Sequence, residues 1–508
     1  MEQKNNKNNN TEKEFLEYVK KMSAYNEALS LIFWDLRTGA PKKGVDQRSE
    51  VIGMLSQEVF QMSISEQMAQ FIEELEREDN ISEISRKIVA ECKKEYDRNK
   101  KIPKDEYKEY VILQSKAESV WEEAKAASDF EMFRPYLEKL VDFNKRFIEY
   151  WRPITENGNN YDILLDMYEP GMTVNQLDKT FADLRNKIVP FVKKITESAH
   201  KPNTQFLFDT FPIEKQKAFS IEILKAMGYD FDAGRLDETV HPFAITLNPG
   251  DVRITTKYDV QDFRTAVFGT IHEGGHALYE QNISKELIGT PLCDGTSMGI
   301  HESQSLFWEN FIARDYNFWC RYYSMLKTYA MGQFDAVSLE EFYRGINESK
   351  PSLIRIEADE LTYPLHVMIR YEIEKGLFNN DIAVKDLPQI WNDKMEEYLG
   401  IRPDNDAKGV LQDVHWAGGS FGYFPSYALG YIYAAQFRAK MIKDIPNFNE
   451  LLQNGNFEQI KEWLTVNVHQ YGKLKKPLEI LKDVTGEGLN ATYLIDYLEA
   501  KYSKIYKL

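Results

Sequence analysis

The feature that most restricts this chain is a pair of histidines four residues apart, within Ile271-His272-Glu273-Gly274-Gly275-His276-Ala277-Leu278-Tyr279. Phe263, Ala266, Val267 and Ile271, continued by Ala277 and Leu278, read as the apolar face of a helix from Asp262 to Gln281. Side chains four apart on a helix stand one above the other, so both imidazoles reach a single ion. Glu273 lies about a hundred degrees round the helix, where a carboxylate touches a water on that ion without ligating it. This is the H-E-x-x-H spacing of a zinc hydrolase site. Gly274 and Gly275 are poor helix formers, so a small side chain there lets substrate or a neighbouring helix approach. The plainer reading is a helix with two surface or core histidines. Histidine is rare, 8 in 508 residues, and a chance match is expected about once in a hundred such chains.

The net charge of −17 lacks the cationic footprint that nucleic acid demands. No apolar run of about 18 residues is present, so no membrane span is expected. The Asn/Lys-rich stretch 1–11 is expected to be a disordered polar tail, and it lacks the apolar segment of a secretory signal. Cys92, Cys293 and Cys320 are odd in number and far apart, which builds neither a disulfide framework nor a thiolate metal site. A reducing, cytoplasmic setting is expected.

Helical patterning dominates the order of the chain. Phe15, Tyr18, Val19, Met22, Tyr25, Leu29 and Ile32 recur at three and four, as one helix face does, and Pro41 with Gly44 breaks that helix. Helices are expected over Gln47–Glu78, Ile81–Asn99, from Pro103 to Ala127, and after Asp129 as an N-cap. Long antiparallel helices of this kind make a bundle; they either carry solvated faces or wall a cleft. A connector spans 153–173, and helices resume at Val174–His200 and Ile213–Met227. The one β segment, His241–Leu247 and Val252–Tyr258 around Pro249-Gly250, predicts an antiparallel hairpin with a type II turn. Its edge strand is suited to pairing with an extended peptide. Later helices are expected at Leu339–Asn347, Arg355–Gly376, Leu387–Leu399 and Tyr427–Lys443.

A catalytic zinc takes three protein ligands and leaves a fourth position for water. Glu302, 26 residues after His276, is the choice for the third; it is otherwise a first-turn glutamate favoured by the helix dipole. His301 diverges from that ion and is either supporting or satisfied elsewhere. Arg355 and Asp359 sit at i, i+4, as a surface ion pair, or else Arg355 is a fixed fork for a carboxylate. His415, Tyr423 and Tyr427 lie in a Gly-rich aromatic stretch. A phenol or an imidazolium there donates to an oxyanion; otherwise the stretch is loop packing.

Together these segments resemble the carboxypeptidase Taq family of zinc metallocarboxypeptidases. The residues that carry the resemblance are His-Pro-Phe at His241, Asp-Val-Arg-Ile-Thr at Asp251, His-Glu-Gly-Gly-His at His272 and His-Glu-Ser-Gln at His301. Ile-Arg-Ile-Glu-Ala-Asp at Ile354 and Gly-Val-Leu-Gln-Asp-Val-His-Trp at Gly409 complete the series. Trp34-Asp35 with Thr38 and Pro41, and Tyr168-Glu169-Pro170-Gly171, are weaker similarities. The resemblance implies a mainly α fold over 12–508 as one catalytic domain, with two lobes around a deep cleft and a small sheet beside the metal. The helices of 12–150 would wall or lid that cleft. It also implies a homodimer and one divalent ion per chain, zinc with cobalt as the alternative, on His272, His276 and Glu302. Glu273 is the implied base, and Arg355 the implied holder of a peptide's C-terminal carboxylate. His415, Tyr423, Tyr427, His241 and Arg253 are the implied substrate or transition-state contacts. The implied activity is removal of single C-terminal residues from peptides with a free C-terminus. The alternatives are a helical zinc oligopeptidase cutting internally and an inactive peptide-binding protein.

Overall fold

The computed structural model describes residues 2–152 and 158–508, and the side chains of 10–152 and 158–508. α-Helices make up most of it, with one small sheet. The expected tail, 1–11, falls largely on residues 1–9, whose side chains lie outside the described set, and the connector expected at 153–173 lies partly outside the described residues. No helix among the described residues is long and apolar enough to cross a membrane.

Strong periodic stretches become helices where expected, as at Lys104–Ala127, Ile213–Met227 and Leu387–Leu399. Asp129 caps the helix Phe130–Trp151 by accepting from the Glu131 amide at 3.0 Å, which satisfies one orphan donor of the first turn. Two boundaries differ. The pattern from Gln47 to Glu78 splits at Ser65, whose hydroxyl accepts from the Met68 amide at 3.0 Å and opens a new helix, Glu66–Glu76. The helix expected from Arg355 begins at Tyr363 instead, after a single 3-10 turn at Arg355–Glu357. The cause is Asp359, whose Oδ1 accepts from the Leu361 and Thr362 amides; such a side chain competes with helix continuation and favours a helix start.

The sheet holds β1 (Leu236–Glu238), β2 (Ala244–Asn248) and β3 (Asp251–Thr256) in the order β1-β3-β2. β2 and β3 form the expected antiparallel hairpin, with Ile245 opposite Arg253 and Thr246 opposite Val252. β1 adds in parallel to β3; three residues are too few to carry an alternating signal. The turn is not type II, which requires positive φ at Gly250, and Gly250 is not among the positive-φ residues. The Asn248 side chain instead accepts from the Gly250 amide at 2.8 Å.

The helix Phe263–Gln281 runs through the centre, starting at Asp262, whose side chain accepts from the Arg264 amide. Phe263 packs against Phe211, Phe334 and Phe342, with ring centroids 5.4 to 6.2 Å away; burying a ring of this size contributes roughly 1.5–3 kcal/mol. The two glycines are there for helix approach. A Cβ on Gly274 would lie 2.7 Å from Leu224 Cδ2, and one on Gly275 would lie 2.5 Å from the Gln304 carbonyl oxygen.

Candidate active site

That close approach sets where Glu302 sits. The short helix Met298–Leu306 is squeezed between the central helix and the helix Pro425–Asp444. On its other side a Cβ at Gly430 would lie 2.7 Å from Glu302 Cβ. Glycine on both flanking helices therefore fixes how far Glu302 sits from the two imidazoles. Its Oε2 lies 3.9 Å from His272 Nε2 and 3.6 Å from His276 Nε2. The three ligand atoms all fall within 4.8 Å of one another, a group able to hold a metal ion.

Each ring is oriented from behind. His272 Nδ1 donates to Glu309 Oε2 at 3.0 Å, and Arg314 donates to the other oxygen of Glu309 at 3.0 Å. His276 Nδ1 meets His301 Nδ1 at 2.6 Å, and His301 Nε2 donates to Glu280 Oε1 at 3.0 Å. With the outer nitrogens engaged in this way, both Nε2 atoms face Glu302, the arrangement that would hold a ligating histidine in one tautomer. His301 therefore sits between His276 and Glu280. Glu280 and Glu309 escaped the sequence reading, although a signal was present: Glu280 repeats the four-residue step after His276, and Glu309 lies two turns beyond Glu302. The helix widens to a π-helix over Phe307–Ala313, which carries Glu309; such bulges concentrate at functional sites.

The local field favours a cation. Burial by itself disfavours a charged His272 ring, yet Glu302, Glu309 and Glu273 outweigh it and push its pKa up to about 10. Burial raises Glu273 to about 7, against the opposing pull of His272. A carboxyl near 7 both takes and returns a proton at neutral pH.

A cavity of about 640 Å³ contains His272, Glu273, His276 and Glu302, together with Arg355, Tyr363, Tyr423 and Tyr427. Arg355 is not paired with Asp359. Its Nε and Nη2 donate to Asp413 Oδ1 at 3.1 and 3.0 Å, and Nη1 donates to the Tyr363 hydroxyl at 3.3 Å. Arg370, fully buried, donates from Nε to Asp413 Oδ2 at 2.7 Å. Two guanidinium groups thus share one carboxylate and leave positive charge facing the cavity. Asp413 sits in a motif singled out by sequence; its role in holding two arginines was not evident, because its partners lie 43 and 58 residues away.

Tyr423 and Tyr427 line the cavity with ring centroids 5.2 Å apart. Burial raises both phenols, Tyr423 well above its ordinary range, so both are donors at neutral pH. Glu374 anchors their loop, accepting from Trp416 Nε1, the Tyr161 hydroxyl and the Gly422 amide. Tyr168 packs edge-on against Tyr423 at 5.1 Å, and Glu169 Oε2 accepts from the Gly299 amide at the start of the Glu302 helix.

Three expected contacts fall outside this cavity. His415 sits behind Tyr427, its Nε2 3.3 Å from the phenol. Burial lowers its pKa to about 4, so the imidazolium donor read from sequence is a neutral ring. Arg253 turns to Asp251 at 2.6 Å and lies over the Trp34 ring. That places it in a separate pocket with Asp35, Arg48 and Arg235, because alternate residues of a strand face opposite ways. His241 is exposed one residue before Pro242, which does line the cavity.

The family model described as "Carboxypeptidase Taq (M32) metallopeptidase" matches residues 14–502. The chain is 60% identical over 498 residues to Carboxypeptidase 1 of Bacillus subtilis, covering 98% of this chain and 99% of that one. It is 40% identical over 495 residues to Thermostable carboxypeptidase 1 of Thermus thermophilus, covering 95% and 97%. The crystal structure of an M32 carboxypeptidase from Deinococcus radiodurans superimposes with a TM-score of 0.95 at 33% identity, covering 98% of this chain and all of that one. By family match, identity and fold together, the chain belongs to the carboxypeptidase Taq (M32) family of metallopeptidases.

Proposed function

We propose that this metal-dependent carboxypeptidase holds one divalent ion on His272, His276 and Glu302 and removes single C-terminal residues from peptides. The observation that carries the reading is one cavity lined by both a cation-seeking triad and a guanidinium. Two imidazoles and a carboxylate are the donor set of a catalytic zinc site, and zinc is the ion named here, with cobalt as the alternative. When bound, the ion supplies a Lewis acid and brings the pKa of water from about 15.7 towards about 7.

The chain's own residues do the rest. Glu273 takes the proton of the attacking water and returns it to the leaving amine. Arg355 receives the substrate's α-carboxylate, while Asp413 and Arg370 hold its fork in place. Tyr423 and Tyr427 donate to the oxygen of the scissile carbonyl as charge develops there; one such donor is worth about 10²–10³ in turnover. The helices of 12–150 wall the cleft, and 12–508 acts as one catalytic unit. A homodimer and a cytoplasmic setting belong to the same reading; light scattering of the purified protein checks the first.

Amidating the C-terminus of a good peptide substrate should abolish cleavage, because Arg355 then loses its anionic partner. Equal turnover of acid and amide would remove Arg355 from this role. Internal fragments in place of one-residue losses would point to an oligopeptidase, and a metal-loaded protein that hydrolyses no peptide would be an inactive binder.

A further inference from the structure

A groove of about 540 Å³ adjoins the cavity; the two share Ala244, Met298 and His301, and Arg355 lines the cavity but not the groove. One wall is the N-terminal helix, presenting Val19, Met22, Asn26 and Glu27. The other is β2, from Ala244 to Leu247. In the β2–β3 pair the Thr255 amide donates to the Phe243 carbonyl at 3.0 Å, and Ile245 stands opposite Arg253. Antiparallel alternation then turns the backbone groups of Ala244 and Thr246 to the other edge, which no strand covers among the described residues.

The groove is acidic. Glu27, Glu95 and Asp294 are exposed along it. Lys473 is the one lysine or arginine among its lining residues, and it is engaged with Asp294 at 2.5 Å. Glu280 lies on the floor and is 2% exposed. Its Oε1 accepts from His301 and from the Gly295 amide, while its buried Oε2 has no partner among the described residues. A desolvated carboxylate oxygen without a donor is a demand for one, and a groove of this charge answers it with a cation.

We propose that this groove takes the part of the peptide upstream of the scissile bond and selects a cationic group there. The chemistry recognised is an ammonium or guanidinium, from a lysine or arginine side chain or from the free α-amine of a short peptide. The direction follows from the cavity. With the C-terminal carboxylate at Arg355, the peptide leaves past Ala244 towards Leu247, antiparallel to β2. Strands rise about 3.3 Å per residue, so the second and third residues before the cleaved bond reach the acidic walls. This inference rests on the carboxypeptidase reading above.

The test uses the metal-loaded full chain and N-acetylated peptides that differ only at the second or third residue before the cleaved bond, as lysine, alanine or glutamate. Each kcat/KM is read relative to an acetylated dipeptide too short to enter the groove. Lysine should exceed glutamate by about tenfold or more at one of the two positions, the size of one close charge contact in partly screened surroundings. An unacetylated alanine peptide whose amine falls at that position separates the α-amine from the side-chain source. In a Glu27→Gln, Glu95→Gln double variant the lysine-to-glutamate ratio should shrink at least threefold. A wild-type ratio within twofold at both positions overturns the proposal, as does a ratio that survives in the variant; the peptide series in the wild type decides the matter if the variant does not fold. Single-residue losses with no upstream charge preference defeat this inference alone, whereas a series in which no peptide loses a single C-terminal residue defeats the carboxypeptidase reading itself.

Discussion

The two ends of the cavity are built on opposite electrostatic plans. At the metal end, Glu273, Glu302, Glu309 and Glu280 surround His272, His276 and His301. At the other end, Arg355 and Arg370 share Asp413, with phenols around them. The acidic end comes from two helices near each other in sequence, with His272, Glu273, His276 and Glu280 on the first and Glu302 on the second. The basic end is collected from 355, 363–370, 412–415 and 423–427. Helix periodicity builds the first. Packing alone builds the second, so its stability and its chemistry are coupled more tightly.

Substitutions should separate the ends. Glu273→Gln removes the proposed base without touching a proposed ligand atom, so turnover should fall roughly 10²–10⁴-fold. Elemental analysis should show the ion retained and the unfolding midpoint unchanged. Asp413→Ala leaves two buried guanidinium groups without their carboxylate, and breaking a buried pair in this way costs about 3–5 kcal/mol. Urea unfolding reads that loss. Stability equal to the parent would show that the basic end is not a packing unit, and the contrast drawn above would fail.

A milder change at the metal end sharpens the comparison. Glu309→Gln keeps an acceptor for His272 Nδ1 but removes the charge behind the ring. Metal affinity should drop about 10–100-fold, measured by competition with a chelator, and the urea midpoint of the metal-free protein should fall as well, because Arg314 and His272 lose the carboxylate they share.

The smallest effect expected is pH-dependent. Burial raises the Glu374 pKa to about 7 despite three donors, Tyr161, Gly422 and Trp416. The folded state therefore holds a proton that the unfolded chain, ordinarily near 4.5, has already released. Stability from this group is full below about 4.5 and is lost as pH rises through about 7, by at most about 1.4 kcal/mol per pH unit. The difference in unfolding free energy between the wild type and Glu374→Gln, followed from pH 4 to pH 8, should slope that way; a flat difference would mean that the anchor of the tyrosine loop stays ionised.

Much of the metal end was legible in sequence because helix geometry converts spacing directly into position. His272 and His276 share a face once the helix is granted, and Glu273 follows. Spacing singled out Glu302, and residue chemistry raised Arg355 and the two tyrosines beside plainer readings; the family resemblance is what attached roles to them. The structure turned His415 into a neutral ring behind Tyr427 and sent Arg253 to the pocket beside Trp34. Neither outcome could be read beforehand. A strand residue's side depends on register and on what packs against each face, and a histidine's charge depends on how much solvent its neighbours exclude.

By itself, then, the order of residues determined a mainly helical chain and the placing of His272, Glu273 and His276 on one helix, because these depend on contacts within a few residues along one helix. Tertiary structure decided the distance from Glu302 to the rings, through Gly275 and Gly430. It also decided the pairing of Arg355 and Arg370 on Asp413 and the acidic groove beside β2. Those features join segments tens to hundreds of residues apart, and their energies come from burial and from charges that meet only in the folded chain.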